Sequence, residues 1–257
     1  MSNILFVIFI VIIVICYVFN STYKYKETFM NDNKNVIQNK KISVIVLNYN
    51  RPHNIKKLVD NIKDYDIIDE IIISHGKKDT EILINHPKVI NETTLRNKYY
   101  SATRFEIVKL AKNNIIMFLD DDMYPSIELI NNFYLEIKKD NNYKKNIYGA
   151  FKRICNKDGY NTNTNNNYNI ILTGLSFINK DNALKIWNEM VQTKEFKHVM
   201  DQNGNGEDLL FSYLIKKNGG ECKYINGKYT NLDISRGFSA NSNHYILRSD
   251  FCKLLNN

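Results

Sequence analysis

The chain has 257 residues, a formal net charge of +8, 44% hydrophobic residues and 24% charged residues. These values are ordinary for a globular protein large enough to bury a full core, and they exclude a disordered, collagen-like or disulfide-dense chain. The positive charge forms no single basic stripe with interleaved aromatic residues, so nucleic acid is not an expected partner. The charge would suit a domain that stays near anionic lipid or an acidic acceptor, although scattered lysines also occur on ordinary solvated surfaces.

The N-terminus carries an uninterrupted apolar run over residues 4–19. As a helix rising about 1.5 Å per residue it spans roughly 24 Å, slightly less than the bilayer core of about 30 Å. The chain start is uncharged and no small-residue cleavage site follows, so we predict an uncleaved single-pass anchor over residues 1–20. The Lys- and Asn-rich residues 21–40 are predicted to form a tether. Lysines flank the run only on its C-terminal side, which favours a cytosolic domain by the positive-inside rule.

Strands and helices alternate in the first half of the remaining chain. Short apolar runs that end at Gly, Pro, Asn or Asp are typical of buried strands, and apolar residues every three or four positions are typical of helices. Strands are predicted at residues 41–47, 70–74, 87–90 and 115–119, and helices at residues 52–63 and 94–112. This alternation predicts one α/β domain over residues 41–257 with a mixed, mostly parallel sheet flanked by helices.

The second half has a less regular pattern. Strands are predicted at residues 147–153 and 170–173, and polar loops at residues 156–169 and 200–206. Helices are predicted to begin near Ser126, near Asp181 as a cap, and at Glu207. Acidic residues at a helix start stabilise it by roughly 0.3 to 1 kcal/mol, so a purely structural role for Glu207 and Asp208 is one interpretation. Residues 235–255 show little apolar periodicity.

Three carboxylates follow the apolar run 115–119 without a spacer: Asp120, Asp121 and Asp122. They repel one another, and a buried carboxylate costs several kcal/mol unless it is paired or binds a metal. Asp120 and Asp122 point the same way along extended backbone, so both can reach one hard divalent cation. The alternative is a solvated loop or a cap of the next helix. No glycine-rich phosphate loop occurs, so a nucleotide would be held by metal and side chains.

Six short motifs occur in order along residues 41–255. They are Asn48-Tyr49-Asn50-Arg51, Leu95-Arg96-Asn97-Lys98, Asp120-Asp121-Asp122, Thr173-Gly174, Gly206-Glu207-Asp208-Leu209-Leu210, and His244-x-x-x-Arg248 followed by Cys252. Together, in this order and spacing, they resemble the exostosin-like glycosyltransferases of glycosyltransferase family 64, which have a GT-A fold. The resemblance implies a Mn²⁺-dependent, retaining transferase that moves an N-acetylhexosamine, GlcNAc or GalNAc, from a UDP-sugar to a glycan acceptor.

Carried over position by position, the resemblance implies a set of nucleotide-binding residues. Arg51 and Lys98 are expected to contact the nucleotide, and His75 is expected near the nucleobase. Asp121 and His244 are expected in the same donor site. The family also implies a lumenal domain, in conflict with the cytosolic orientation that the flanking lysines favour, and both orientations stay open.

The resemblance also implies the metal site and the catalytic residues. Asp122 is expected to hold the Mn²⁺ that bridges the diphosphate, and Asp120 to lie beside the ribose and the metal. Asp208 corresponds to the catalytic carboxylate, Glu207 to its acidic neighbour, and Arg248 to a cation over the diphosphate. The chemistry agrees, because UDP gains negative charge as the sugar–phosphate bond breaks while the anomeric carbon becomes cationic.

Several positions depart from the family pattern. Lys98 replaces an Arg and cannot make its bidentate contact, and Ser74-His75-Gly76 replaces an asparagine-containing segment. The family has a Cys, bonded to the tail Cys, where this chain has Gly206. Cys252 is therefore expected either to pair with Cys222 or to stay reduced, whereas Cys155 has no evident partner.

Two other functions remain open from the sequence. One is an inverting transferase in which Asp208 is the general base for the acceptor hydroxyl. The other is a membrane-tethered glycan-binding protein that keeps the fold without turnover, which the substitutions at Lys98 and Gly206 motivate. The sequence leaves the donor sugar, the acceptor and the oligomeric state open.

Overall fold

The computed structural model describes residues 41–164, 167–234 and 242–257. The predicted anchor (residues 1–20) and tether (residues 21–40) lie outside this part of the chain. Lys41–Asn257 forms one unit. None of the helices in the described ranges is long and apolar enough to cross a membrane.

The unit alternates strands and helices in its first half and mixes them less regularly in its second. The strands are β1 Ile42–Asn48, β2 Ile68–His75, β3 Val89–Glu92, β4 Ile115–Leu119, β5 Met123–Pro125, β6 Ile147–Gly149, β7 Lys152–Asn156, β8 Gly159–Asn161, β9 Ile170–Ile171, β10 Leu175–Asn179, β11 Cys222–Tyr224 and β12 Tyr229–Asn231. The helices are α1 Pro52–Ile62, α2 Thr103–Ile107, α3 Ile127–Lys139, α4 Lys180–Met190, α5 Lys194–Asp201, α6 Glu207–Lys217 and α7 His244–Leu255.

A seven-stranded sheet in the order β3-β2-β1-β4-β10-β6-β11 forms the centre of the unit. The β1–β2, β1–β4, β2–β3 and β6–β11 pairs are parallel, and only β10 runs antiparallel to its neighbours β4 and β6. The sheet is therefore mixed and mostly parallel, as predicted. Because β10 runs antiparallel to β4, the first residue of β10 lies beside the last residue of β4. Both therefore lie at the edge of the sheet at which Asp120 follows β4.

Consecutive residues of β4 have side chains on opposite faces of the sheet, and all of them are buried. Helices therefore cover both faces of this sheet. On one face Phe105 of α2 stacks on Phe211 of α6 at a centroid distance of 4.1 Å, against Phe118 of β4. On the other face Phe133 of α3 stacks on Phe177 of β10 at 4.2 Å. The predicted helices at residues 52–63, after Ser126 and at Glu207 are confirmed.

Two small sheets extend the edge that carries the acidic triplet. β5 pairs with β12, and β7 pairs with both β8 and β9. The predicted single strand at residues 147–153 is wrong, because the chain leaves the central sheet after β6 and joins the small sheet as β7. These additions bring segments that are distant in sequence close to the end of β4.

The predicted helix at residues 94–112 is also wrong. Arg96 and Tyr100 have positive φ angles of 48° and 51°, which an α-helix cannot accommodate. The helical part is only α2, between two 3₁₀ turns at Tyr100–Ala102 and Val108–Leu110. The cap of α4 is Asn179 and not Asp181, because the unpredicted strand β10 ends at that residue.

The cysteines pair differently from the expectation. Cys155 of β7 and Cys252 of α7 form a disulfide with a Cα–Cα distance of 5.1 Å, within the usual range for a disulfide. The expected pairing of Cys252 with Cys222 is therefore wrong, and so is its alternative, a reduced Cys252. Cys222 is a free thiol on β11, where burial raises its pKa to about 11. The disulfide attaches the C-terminal helix to the small sheet beside the active-site edge.

Candidate active site

The first carboxylate of the triplet is held at the junction of β4 and β10. The Asp120 backbone N–H donates to the Gly174 carbonyl at 2.8 Å. A Cβ atom on Gly174 would lie 2.6 Å from Asp120 Oδ2, so a side chain at this position would displace the carboxylate. Glycine is thus required because the two segments approach closely. This explains the Thr173-Gly174 motif in physical terms.

Arg51 neutralises the other two carboxylates. This residue precedes α1, and its guanidinium donates from Nη1 to Asp122 Oδ2 at 2.8 Å and from Nη2 to Asp121. Burial raises the pKa of Asp121 to about 6, against the opposing effect of Arg51. Burial and the nearby Asp120 also raise the pKa of Asp122. The three predicted acids and Arg51 therefore form one compact cluster at the end of β4.

Arg104 is a second cation in this cluster, and the sequence analysis did not select it. Its Nη2 donates to Asp120 Oδ1 at 2.8 Å, its Nη1 to the Thr173 carbonyl at 3.0 Å, and its Nε to the Ser101 carbonyl at 3.2 Å. Burial opposes its charge, but Asp120 keeps its pKa above the ordinary value. A signal existed: Arg104 lies four residues before buried Val108, on the apolar face of a segment with helical turns.

The acidic pair at the start of α6 faces the same cluster. Gly206 has φ 97° and a Cβ there would lie 2.6 Å from the Phe251 ring, so a side chain is excluded. Arg248 of α7 places Nη2 at 2.8 Å and 2.9 Å from the two oxygens of Asp208. The Arg248 guanidinium also lies 4.7 Å from the centroid of the Tyr160 ring. Burial opposes the charge of Arg248, yet Asp208 keeps its pKa above the ordinary value.

Glu207 is a carboxylic acid whose pKa the fold brings close to neutral pH. It is 8% exposed, and burial together with the Asp208 carboxylate raises its pKa to about 7. Arg104 and Arg248 act in the opposite direction, and Asp120 adds a further negative charge. These mutual effects show that the end of β4 and the start of α6 share one electrostatic site. The structure therefore brings Asp120, Glu207, Asp208 and Arg248 close together.

Two other predicted residues, His75 and Lys98, have different surroundings. His75 is fully buried at the end of β2, with Nδ1 3.0 Å from Asn48 Nδ2 and Nε2 3.4 Å from Asn91 Oδ1. Burial lowers the pKa of this histidine. Lys98 is exposed, with Nζ 4.8 Å from the centroid of the Tyr99 ring, and among the contacts of the described residues none joins it to the acidic cluster.

His244 is the first residue of α7, one turn before Arg248. Its ring contacts Tyr245 edge-on at 5.1 Å, and its carbonyl accepts a hydrogen bond from Asn205 Nδ2 at 3.3 Å. Burial, followed by the charge of Arg248, lowers the pKa of its ring. His244 therefore lies beside the Asp208–Arg248 pair.

The donor set fits a divalent cation only in part. Asp122 Oδ1 is buried and has no hydrogen-bond partner among the described residues, so it offers an unused hard oxygen beside Asp120. Within the described ranges no group of three or more His, Cys, Asp or Glu side chains has the arrangement of a metal site. A cation here would thus take two carboxylates from the chain and its remaining ligands from substrate and water.

The comparisons with known proteins identify the family of the chain. The profile of the glycosyl transferase family 64 domain matches residues 42–257, and the chain therefore belongs to glycosyl transferase family 64. It is a glycosyltransferase by family. No curated protein matches the chain.

Among solved structures, the chain is similar to the 2-C-methyl-D-erythritol 4-phosphate cytidylyltransferase of Francisella tularensis, with 12% identity and a TM-score of 0.44. That similarity covers 76% of this chain and 94% of the cytidylyltransferase. It is too distant to bear on function.

Proposed function

We propose that the chain is a Mn²⁺-dependent, retaining transferase of the GT-A type that moves an N-acetylhexosamine from a UDP-sugar to a glycan hydroxyl. The observation that carries this proposal is the meeting of two acidic segments, Asp120 to Asp122 and Glu207-Asp208, at one edge of the sheet of a family 64 domain. Ligands of open α/β sheets bind at this edge. The mixed sheet, with an acidic triplet directly after its central strand, supports the GT-A assignment.

The donor would bind through its charged groups. Arg104 is a buried cation and Arg51 a partly buried one at the end of β4, and both are positioned to offset the diphosphate as well as the acids. Arg248 Nε is a buried donor with no partner in the described part of the chain, so this guanidinium keeps hydrogen-bonding capacity for a ligand oxygen. Mn²⁺, when bound at Asp120 and Asp122, would act as a Lewis acid on the diphosphate.

Asp208 is the proposed catalytic carboxylate. Departure of UDP leaves positive charge on the anomeric carbon, and a fixed carboxylate stabilises that charge electrostatically. Because Arg248 contacts both oxygens of Asp208, the ion pair holds this carboxylate in place as a fixed negative charge. The geometry thus favours electrostatic stabilisation with retention over the inverting mechanism, in which Asp208 would be a general base.

Glu207 is the proposed proton carrier. With its pKa raised to about 7 by burial and by Asp208, it exchanges protons near neutral pH. A carboxylate with this pKa is suited to take the proton from the hydroxyl group of the glycan acceptor and then to release that proton to water. Retention and proton removal are in this way assigned to two adjacent carboxylates.

One observation favours the non-catalytic glycan-binding alternative. Arg51 already pairs with Asp121 and Asp122, so part of the acidic cluster is neutralised without a metal. If this pairing persists, the chain would bind glycans without turnover. Absence of both UDP-sugar hydrolysis and transfer under any divalent metal, with glycan binding intact, would establish this alternative.

The disulfide supports a location for the domain. Disulfides persist in oxidising compartments and are rare in the cytosol. Cys155 and Cys252 therefore support a lumenal or extracellular domain attached to the membrane by residues 1–20, as the family implies and against the distribution of lysines.

The test of the proposed function is UDP release from UDP-GlcNAc and UDP-GalNAc by the full chain with Mn²⁺. We expect Asp122→Ala and Asp208→Ala each to lower the rate at least about a hundredfold, because each removes a charge aimed at the transition state. The control is Asp250→Ala, an exposed carboxylate on α7 that pairs with Lys253 at 3.3 Å. Full metal-dependent activity in either test variant would contradict the assigned roles.

A further inference from the structure

A cavity of about 520 Å³ lies along the outer edge of β11. Its volume is in the range of small-molecule sites. It lies outside the acidic cluster, and its lining combines aromatic rings with charged side chains. Side chains that line it include those of Glu136, Tyr168, Lys216, Glu221 and Tyr224.

Two tyrosines of the lining are fixed to each other. The Tyr224 backbone N–H donates to the Tyr168 hydroxyl at 3.0 Å. Lys152 Nζ lies 4.8 Å from the centroid of the Tyr224 ring and 5.4 Å from that of Tyr168. Such cation–π contacts hold the rings in place. Tyr224 nevertheless stays 38% exposed, so the cavity has a preformed and accessible aromatic wall.

This wall lies at the same edge of the sheet as the candidate active site. Tyr224 is in register with Gly149 of β6, Gly149 with Ser176 of β10, and Ser176 with Phe118 of β4. Three strand spacings of about 4.8 Å place Tyr224 roughly 14 Å across the sheet from β4. The cavity is therefore too far away for the reacting sugar and close enough for a more distant unit of the same oligosaccharide.

A second aromatic pair lies at the end of β5. Phe151, which follows β6, packs edge-on against Tyr229 of β12 at a centroid distance of 5.1 Å. Tyr229 pairs with Pro125 of β5, just after the acidic triplet, and it is 37% exposed. Tyr229 thus adds a partly exposed aromatic ring near the acidic triplet.

We infer that the cavity beside β11 binds a distal sugar unit of an oligosaccharide acceptor, with Tyr168 and Tyr224 as its stacking wall. The C–H faces of a pyranose pack on aromatic rings, and its hydroxyls hydrogen-bond with side chains such as Lys216 and Glu136 at the rim. The role as an acceptor subsite rests on the proposed glycosyltransferase function. Binding of the oligosaccharide itself does not, because it requires neither donor nor metal.

The experiment is a calorimetric titration of the full chain with chitohexaose, and separately with a hyaluronan hexasaccharide, without donor and without metal. We expect at least one of these probes to bind, and Tyr224→Ala to weaken that binding about fivefold to tenfold. Lys216→Ala, at an exposed rim position, is expected to weaken it about twofold to threefold. The matched control is Leu110→Ala, a 43% exposed apolar residue that follows Lys109 in a turn before β4.

The outcomes separate this inference from the proposed function. Binding that Tyr224→Ala weakens and Leu110→Ala does not would support the subsite, even if no UDP-sugar is turned over. No binding of either hexasaccharide by the wild-type chain would overturn it, whatever the UDP-release assay shows. Equal binding by the wild type and by both cavity variants would also overturn it, because the glycan would then bind elsewhere.

Discussion

Arg248 and Asp208 form a buried ion pair in which one nitrogen, Arg248 Nη2, lies 2.8 Å and 2.9 Å from the two carboxylate oxygens. Both side chains are at most 10% exposed. Removing one member of a buried pair leaves the other charge without compensation, which costs about 3 to 5 kcal/mol. The pair also attaches α7 to the start of α6, so it links the stability of the domain to its candidate active site.

We expect Arg248→Met to lower the free energy of unfolding by about 3 kcal/mol, because Asp208 would stay buried without its partner. Urea unfolding followed by circular dichroism measures this change. The control is Lys253→Met on the same helix, whose exposed pair with Asp250 contributes little. A loss below about 0.5 kcal/mol for Arg248→Met would show that the pair does not stabilise the fold.

The raised pKa of Glu207 predicts that the stability of the domain depends on pH. Its pKa is about 7 in the folded chain, where burial and Asp208 raise it, and 4.5 in the unfolded chain. The folded state therefore holds the proton longer, so the contribution of Glu207 to stability is fully present below pH 4.5 and is lost as the pH rises through 7. We expect Glu207→Gln to be more stable than the wild type by about 3 kcal/mol at pH 8, with little difference near pH 4. Unfolding midpoints at both pH values measure this, and a pH-independent difference would contradict the raised pKa.

The disulfide predicts a redox dependence. Cys155 and Cys252 are separated by 97 residues in sequence, and closing so long a loop stabilises a fold by about 4 kcal/mol in the chain-entropy model. We expect a reductant to lower the free energy of unfolding of the wild type and to have no effect on Cys252→Ser. Cys222→Ser is the control and should respond to the reductant as the wild type does. If it lost that response, Cys222 would be a disulfide partner and the observed pairing would be wrong.

The contacts of Arg104 predict that replacing its planar guanidinium lowers the free energy of unfolding. The side chain donates to three acceptors, and a lysine cannot reach all of them from one nitrogen. We expect Arg104→Lys to lower the free energy of unfolding by about 2 kcal/mol, since the Thr173 carbonyl would lose a charged donor. Arg96→Lys is the matched control, because Arg96 makes a more exposed pair with Glu81 at 2.7 Å. Equal effects of the two substitutions would contradict the central position of Arg104.

The sequence predicted those parts of the fold that depend on local periodicity. The strand at residues 115–119 is buried on both faces, and its unbroken apolar run indicates this directly. The helix at Glu207 follows in the same way from its apolar face. Strand β10 was missed because Gly174 looks like the end of a segment, whereas it is a close approach to Asp120 that continues into a strand.

The C-terminal helix α7 shows why a helical pattern of buried residues is hard to recognise when one of those residues is charged. Arg248, Phe251, Cys252 and Leu255 are all buried and follow helical spacing, but the first of them is charged. Arg104 was missed for the same reason. In both cases the acidic partner is distant in sequence, so burial of the arginine becomes evident only when the tertiary contacts are known. The Cys155–Cys252 pairing has the same origin, because no local spacing indicates it.

The central claim is that the edge of the sheet at Asp120 and Asp122 binds UDP together with a metal ion. The most direct measurement is a calorimetric titration of the full chain with UDP in the presence of Mn²⁺ and again with EDTA. We predict binding with Mn²⁺, and binding at least about tenfold weaker with EDTA and in the Asp122→Asn variant with Mn²⁺. Equal binding of UDP under all three conditions, or no binding to a folded chain under any of them, would contradict the metal-dependent donor site.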